Sequence, residues 1–142
     1  MNIFEKLREE HDKTRTLLDL VGKTHGDSNG RRELFGKLKD ELEAHTAAEE
    51  VSLYKPLIGT HAQDKATHST KEHEETRELI EELETMDFSS PGWLTRFAAL
   101  DRMVREHMDE EEHKVFQQAG RTLSESEKLE LADVHERERA EN

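Results

Sequence analysis

Near the start of the chain, Phe4, Leu7, His11, Thr14, Leu18 and Val21 recur at alternating spacings of three and four. That is the stripe one face of an α-helix presents to a core. Gly22 and the run Gly26-Asp27-Ser28-Asn29-Gly30 have loop composition and predict its end. The alternation returns at Phe35, Leu38, Leu42, His45, Glu49 and Ser52, in a helix ended by Pro56 and Gly59. It returns again at Ala66, Ser69, His73, Thr76, Ile80 and Leu83, in a helix expected from about His61 to about Met86. A last stripe runs through Phe97, Leu100, Val104, His107 and Glu111 and is closed by Gly120. Ser89-Ser90-Pro91 supplies a cap residue followed by proline, a start signal for that fourth helix. Ser124-Glu125-Ser126-Glu127 reads as a capping box for a charged fifth helix, expected to fray before Asn142. The pattern predicts an all-α protein: an up-down-up-down four-helix bundle over residues 1–120, then a short C-terminal fifth helix within residues 121–142, to which no function is assigned.

The polar members of these stripes repeat. His11 is followed after 34 residues by His45 and after four more by Glu49; the same set recurs, displaced by 62, as His73, His107 and Glu111. Four residues is about one helical turn, so each His-x-x-x-Glu pair shares a face. The midpoints between successive histidines fall in or beside the predicted turns, at 28, 59 and 90, which puts all four at one height in an up-down bundle. A single such pair means little in a chain with 9 histidines, and His68 with Glu72 forms another outside the repeat. Any one of these histidines reads as an ordinary core residue. The set does not, because four imidazoles and two carboxylates facing one another in a dry core cost several kcal/mol per uncompensated charge. Cations offset that cost, and the donors suit two first-row ions, each taking two histidines and sharing the carboxylates.

Composition narrows the rest. At 142 residues the chain is one domain by length, and 32% hydrophobic against 39% charged residues suits helices with narrow apolar stripes. A formal charge of −13 argues against nucleic acid or an anionic membrane as partner and for small molecules or cations. Without cysteine there is no disulfide, thiolate ligand or thiol nucleophile. No apolar run reaches the length of a signal segment or a span, so a cytoplasmic protein, taken as a monomer, is the expectation.

The quoted residues resemble the hemerythrin-like HHE cation-binding domains over about residues 1–120. The resemblance rests on His11 in Glu-Glu-His-Asp, His45-x-x-x-Glu49-Glu50 before Leu53-Tyr54, His73 in Glu-His-Glu-Glu, and His107-x-x-x-Glu111-Glu112 before Val115-Phe116. It implies a non-haem centre of two iron ions bridged by Glu49, Glu111 and an oxo or hydroxo group, with His11, His45, His73 and His107 completing the ligand set. It also implies activity towards dioxygen, hydrogen peroxide or nitric oxide. Zinc or manganese would accept the same ligands. Oxygen-carrying members have an extra histidine one turn after the third-helix histidine; here Arg77 stands there, with Arg15 as its repeat mate.

Tyr54, the chain's one tyrosine, has Phe116 as its repeat mate. It reads either as an aromatic plug near the helix end or as a candidate catalytic residue whose phenol reaches one iron or its oxygen ligand. Thr14 and Thr76 read as hydrogen-bond donors near the ligands or as back-bonded to their own helices. His25, His61, His113 and His135 read as exposed. Three functions are compatible: a di-iron enzyme acting on peroxide, oxygen or nitric oxide; a reversible oxygen-binding module; and an iron or oxygen sensor, for which an attached output domain is expected. Arg77 favours the enzyme over the carrier.

Overall fold

The computed structural model describes residues 1–26 and 28–141. Asp27, within the run read as a turn, and Asn142, where fraying is expected, lie outside the described residues. α1 (Ile3–Gly22) opens on a reciprocal cap: the Asn2 side chain accepts from the Glu5 N–H and the Glu5 carboxylate accepts from the Asn2 N–H, both at 2.9 Å. α2 (Asn29–Glu49) starts at Ser28, whose hydroxyl accepts from the Arg31 N–H, and runs through a π-helical turn (Glu50–Tyr54) into α3 (Lys55–Leu57). Gly59, at φ 85°, turns the chain where a side chain would be strained. α4 (Gln63–Thr85) returns, and α5 (Pro91–Glu110) begins at Ser90 as its Ser-Pro signal predicts. A second π-turn (Glu111–Val115) leads into α6 (Phe116–Thr122), and α7 (Glu125–Glu141) follows.

α1 packs on α2 and α5, and α4 on α5 and the first π-turn. With short connections between them, these rods form the up-down-up-down bundle. Every stripe residue named from the periodicity is buried. Two apolar cores result. One, toward the α1–α2 and α4–α5 loops, centres on Leu38, Leu83, Trp93 and Leu100; the other, at the opposite end, on Ile3, Leu7, Leu53, Leu57 and Ala119. Arg31 closes the first end, bonding Thr24 and the Phe88 carbonyl and lying 4.8 Å over the Trp93 ring.

Two expectations are corrected. Gly120 does not close the fourth helix, which continues to Thr122. A glycine inside a helix costs only about 1 kcal/mol, and burying Ala119 and Leu123 on either side outweighs that. Nor does the C-terminal segment fray in the described residues. The Ser124–Glu127 capping box forms as read, and α7 packs against α1, α2 and the first π-turn.

Trp93 is fully buried, stacks on Phe97 and donates its indole N–H to the Leu83 carbonyl at 3.1 Å. Trp93→Ala should destabilise the protein by about 3 to 5 kcal/mol. Chemical denaturation measures this, and a loss under about 1 kcal/mol would show that the loop-end core relaxes to fill the hole.

Candidate metal centre

Between the two apolar cores lies a polar layer. His11 on α1, His45 and Glu49 on α2, His73 on α4, His107 on α5 and Glu111 at the second π-turn are brought together there, none more than 8% exposed. Each histidine turns Nε2 inward. His11 Nε2 lies 3.2 Å from Glu111 Oε1 and His107 Nε2 3.6 Å from Glu111 Oε2, while His45 and His73 Nε2 lie 3.6 and 3.3 Å from Glu49 Oε1. Suitable ligand atoms of His11, His45, Glu49 and Glu111 lie within 4.8 Å of one another, as do those of Glu49, His73, His107 and Glu111. The two groups share both carboxylates.

The outward nitrogens are equally ordered. His11, His45, His73 and His107 each place Nδ1 on a glutamate of another rod: Glu112 at 2.7 Å, Glu10 at 2.8 Å, Glu50 at 3.1 Å and Glu72 at 2.8 Å. A carboxylate on Nδ1–H fixes the tautomer and leaves the Nε2 lone pair facing inward, the arrangement found behind metal-bound imidazoles. These four glutamates obey the same displacement of 62, and so do Arg15 and Arg77, which bond Glu112 at 2.8 Å and Glu50 at 3.1 Å. Helical periodicity singles out only six of these residues. The signal for the other four was there, since each outer glutamate directly precedes or follows an inner ligand residue in both halves.

Three inward atoms lack partners. His11 Nε2, Glu49 Oε2 and Glu111 Oε1 are buried without a hydrogen bond among the described residues. The Nε2 atoms of His73 and His107 approach to 3.2 Å, where two lone pairs repel unless a proton or cation lies between them. Without a cation, protons compensate. Burial opposes charging His11, but Glu111 and Glu112 outweigh it and raise the imidazole to about 9. Burial and then the Glu111 charge push Glu49 well above the usual carboxylate range. Burial would also raise Glu111, yet the His11 imidazole beside it, with Glu49 and His107 close by, holds it well below that range. Burial lowers His45 to about 4, only partly opposed by Glu10. A buried set of imidazole and carboxylate donors with open inward atoms fits cations.

Tyr54 is buried at the edge of this layer, and its hydroxyl hydrogen-bonds Glu49 Oε1 at 2.9 Å and also Glu111. It is therefore both plug and polar contact. The π-turn explains the reach. At about 100° per residue, a regular helix would put Tyr54 about 140° away from Glu49, whereas in a π-turn residues five apart stack. Phe116, its mate, stacks on His11 at 6.0 Å between centroids. On the other side Thr14, Thr46, Thr76 and three of the histidines line a cavity of about 20 Å³.

His25, His61 and His113 are exposed as read. His68 is also exposed, 3.6 Å from Glu72 outside the layer. His135 is a correction, being fully buried with Nε2 on Glu10 at 2.8 Å and Nδ1 on Ser52 at 3.0 Å. No helix of the described residues is long and apolar enough to cross a membrane.

Among curated proteins, a DNA nickase of Nostoc sp. (strain PCC 7120 / SAG 25.82 / UTEX 2576) is 27% identical over 124 residues, covering 87% of this chain but only 35% of that relative's length. Among solved structures, a hemerythrin HHE cation binding domain-containing protein from Mycobacterium kansasii is 25% identical with a TM-score of 0.84, covering 99% of this chain and 89% of that one. The family described as hemerythrin HHE cation binding domain matches residues 2–119, nearly all of the bundle and every residue of the polar layer. The chain belongs to the hemerythrin HHE cation-binding domain family.

Proposed function

We propose that this chain is a non-haem di-iron protein that reacts with dioxygen or hydrogen peroxide and breaks peroxide down. One iron would be held by His11 and His45, the other by His73 and His107, with Glu49 and Glu111 shared. The observation that carries this reading is the pair of buried four-residue groups that share both carboxylates and leave inward atoms unbonded. Two iron ions bound there supply two one-electron couples, enough to take a pair of electrons from one peroxide and return it to a second, giving one dioxygen and two waters.

The chain's own residues serve that chemistry in three ways. The outer glutamates hold the imidazoles in orientation and keep their lone pairs inward. Tyr54, raised well above its ordinary pKa by burial and then by the charges of Glu111 and Glu49, keeps its proton against the two shared carboxylates, and it is our candidate catalytic residue. The threonine-lined cavity has room for about one water-sized molecule and so favours small reactants over large ones. Arg77, in place of a fifth histidine, directs its guanidinium to Glu50 and Glu74. That supports two histidines per ion and an exchangeable position on each, which favours turnover over reversible carriage. The activity named for the Nostoc relative is not carried over, because the −13 charge opposes a polyphosphate partner.

Metal analysis of iron-loaded protein should give close to two ions per chain. His45→Ala should lose metal and the exposed His25→Ala should keep it; one ion per chain, or equal loss from both variants, would sink the two-ion reading.

Loading should also raise the melting temperature, since a cation bound only by the folded state stabilises it. It should release protons. His11, held at about 9, carries a proton at neutral pH that it must give up to bind, and Glu49, raised above the usual carboxylate range, holds its proton more tightly than a free carboxylate. Affinity should therefore rise as the pH goes from 6 to 9. Indicator dye in weak buffer and calorimetry measure both effects, and an unchanged melting temperature with no acidification contradicts the assignment.

Oxygen evolution from peroxide by iron-loaded protein tests the reaction itself. Arg77→His, which would fill one exchangeable position, should slow it at least tenfold, and Tyr54→Phe should alter both rate and visible spectrum. A stable, reversible oxygen adduct without turnover would make the chain a carrier. A Tyr54→Phe variant with unchanged rate and spectrum would leave the tyrosine with packing alone.

A further inference from the structure

The internal duplication makes each residue's repeat mate a built-in control, and one pair of mates is strongly unequal. Glu10 and Glu72 each accept the Nδ1 of a layer histidine at 2.8 Å. Glu10 Oε1 also accepts from His135 Nε2 at 2.8 Å and from Arg139 Nη1 at 3.2 Å, both on α7. Among the described residues, Glu72 has the exposed His68 on its far side, at 3.6 Å. Glu10 is 5% exposed and His135 0%, whereas the Glu72 side chain is 23% exposed.

His135 is itself fixed. Its Nε2–H donates to Glu10, so its Nδ1 accepts the hydroxyl proton of Ser52, a buried residue of the first π-turn. Arg139 is fixed too, because its guanidinium bonds both oxygens of Glu41 at 2.9 Å. Glu10, His45 and His135 also have the spacing of a cation site. Arg139, however, already sets a positive charge against Glu10 Oε1, where His45 and His135 also converge, so the trio is an anchor.

We propose that His135, backed by Arg139, is a positioning residue for one of two cation positions: through Glu10 it fixes His45, so that the ion at His11 and His45 exchanges more slowly than the ion at His73 and His107. This rests on the two-ion reading above. The physical basis is that a carboxylate pinned on several sides holds its imidazole in the ligating orientation and keeps it basic, while a partly exposed carboxylate is also open to water. α7 also covers this side, and an ion can leave only as water replaces its ligands.

The test uses full-length protein loaded with two equivalents of Co²⁺, whose visible bands report the ligand set, and challenged with excess chelator. The parent should release cobalt in two phases of equal amplitude. His135→Ala should speed the slow phase about tenfold or more and leave the fast phase unchanged, in line with the usual cost of removing a group behind a metal ligand. His135→Gln, which keeps an N–H for Glu10, should restore most of the slow phase, and His68→Ala should change neither. Arg139→Gln, which opens no buried cavity, should speed the slow phase by a smaller factor and decides the matter where His135→Ala fails to fold.

Single-phase release by the parent, a slow phase indifferent to both His135→Ala and Arg139→Gln, or both phases accelerating together in either variant overturns the proposal. A third equivalent of Co²⁺ that His135→Ala abolishes overturns it in favour of a cation at the trio. Fewer than two equivalents bound by the parent overturns the two-ion reading itself, and this inference with it.

Discussion

Burying six ionisable side chains in one slice of the bundle is the constraint to which the other features answer. Carboxylate and imidazole cannot be left dry and unpaired without a cost of several kcal/mol each. The protein meets this from outside with Glu10, Glu50, Glu72 and Glu112 on the four imidazoles, and with Arg15, Arg77 and Arg139 behind three of those carboxylates. Six carboxylates and three guanidiniums then leave an excess of negative charge around a centre whose inward atoms lack partners. A proton on His11 offsets part of it where no cation is bound. A divalent or trivalent cation carries more charge in the same space and satisfies the lone pairs as well. Preference for cations therefore follows from the charge balance of the layer as a whole, beyond the ligands themselves.

Duplication explains the economy of the design, and the breaks in it locate what is special to each half. Ligands, outer carboxylates and arginines all recur at 62 residues. Tyr54 answers Phe116, Thr46 answers Met108, and α7 covers Glu10 where Glu72 is partly exposed. Each break falls against the layer, on a different side of it. The two halves thus present like imidazole and carboxylate donors in unlike surroundings.

The bundle and the residues of its polar layer were legible because both are written in periodicity. Alternation of three and four fixes which face is buried, and His11, His45, His73 and His107 stand on that face beside Leu and Phe. His135 was not legible for the converse reason. α7 buries only Ala132 and His135, so it has no apolar stripe, and it is attached largely through polar contacts to Glu10, Glu41 and Ser52. Hydrophobic patterning cannot see a helix docked in that way. Gly120 misled because a glycine is a stop signal only where the following residues have no core to enter, and Leu123 enters one.

The π-turns escaped the sequence for a different reason, since an inserted residue carries no composition of its own, yet they join the layer to its surroundings. Within five residues the first π-turn buries Ser52, Leu53 and Tyr54 together, because α7 packs on this stretch as well as α4. Ser52 meets His135 on α7, Leu53 enters the apolar core, and Tyr54 returns under Glu49. One local change of winding therefore ties the shared carboxylates, the second core and the C-terminal helix to a single stretch of backbone.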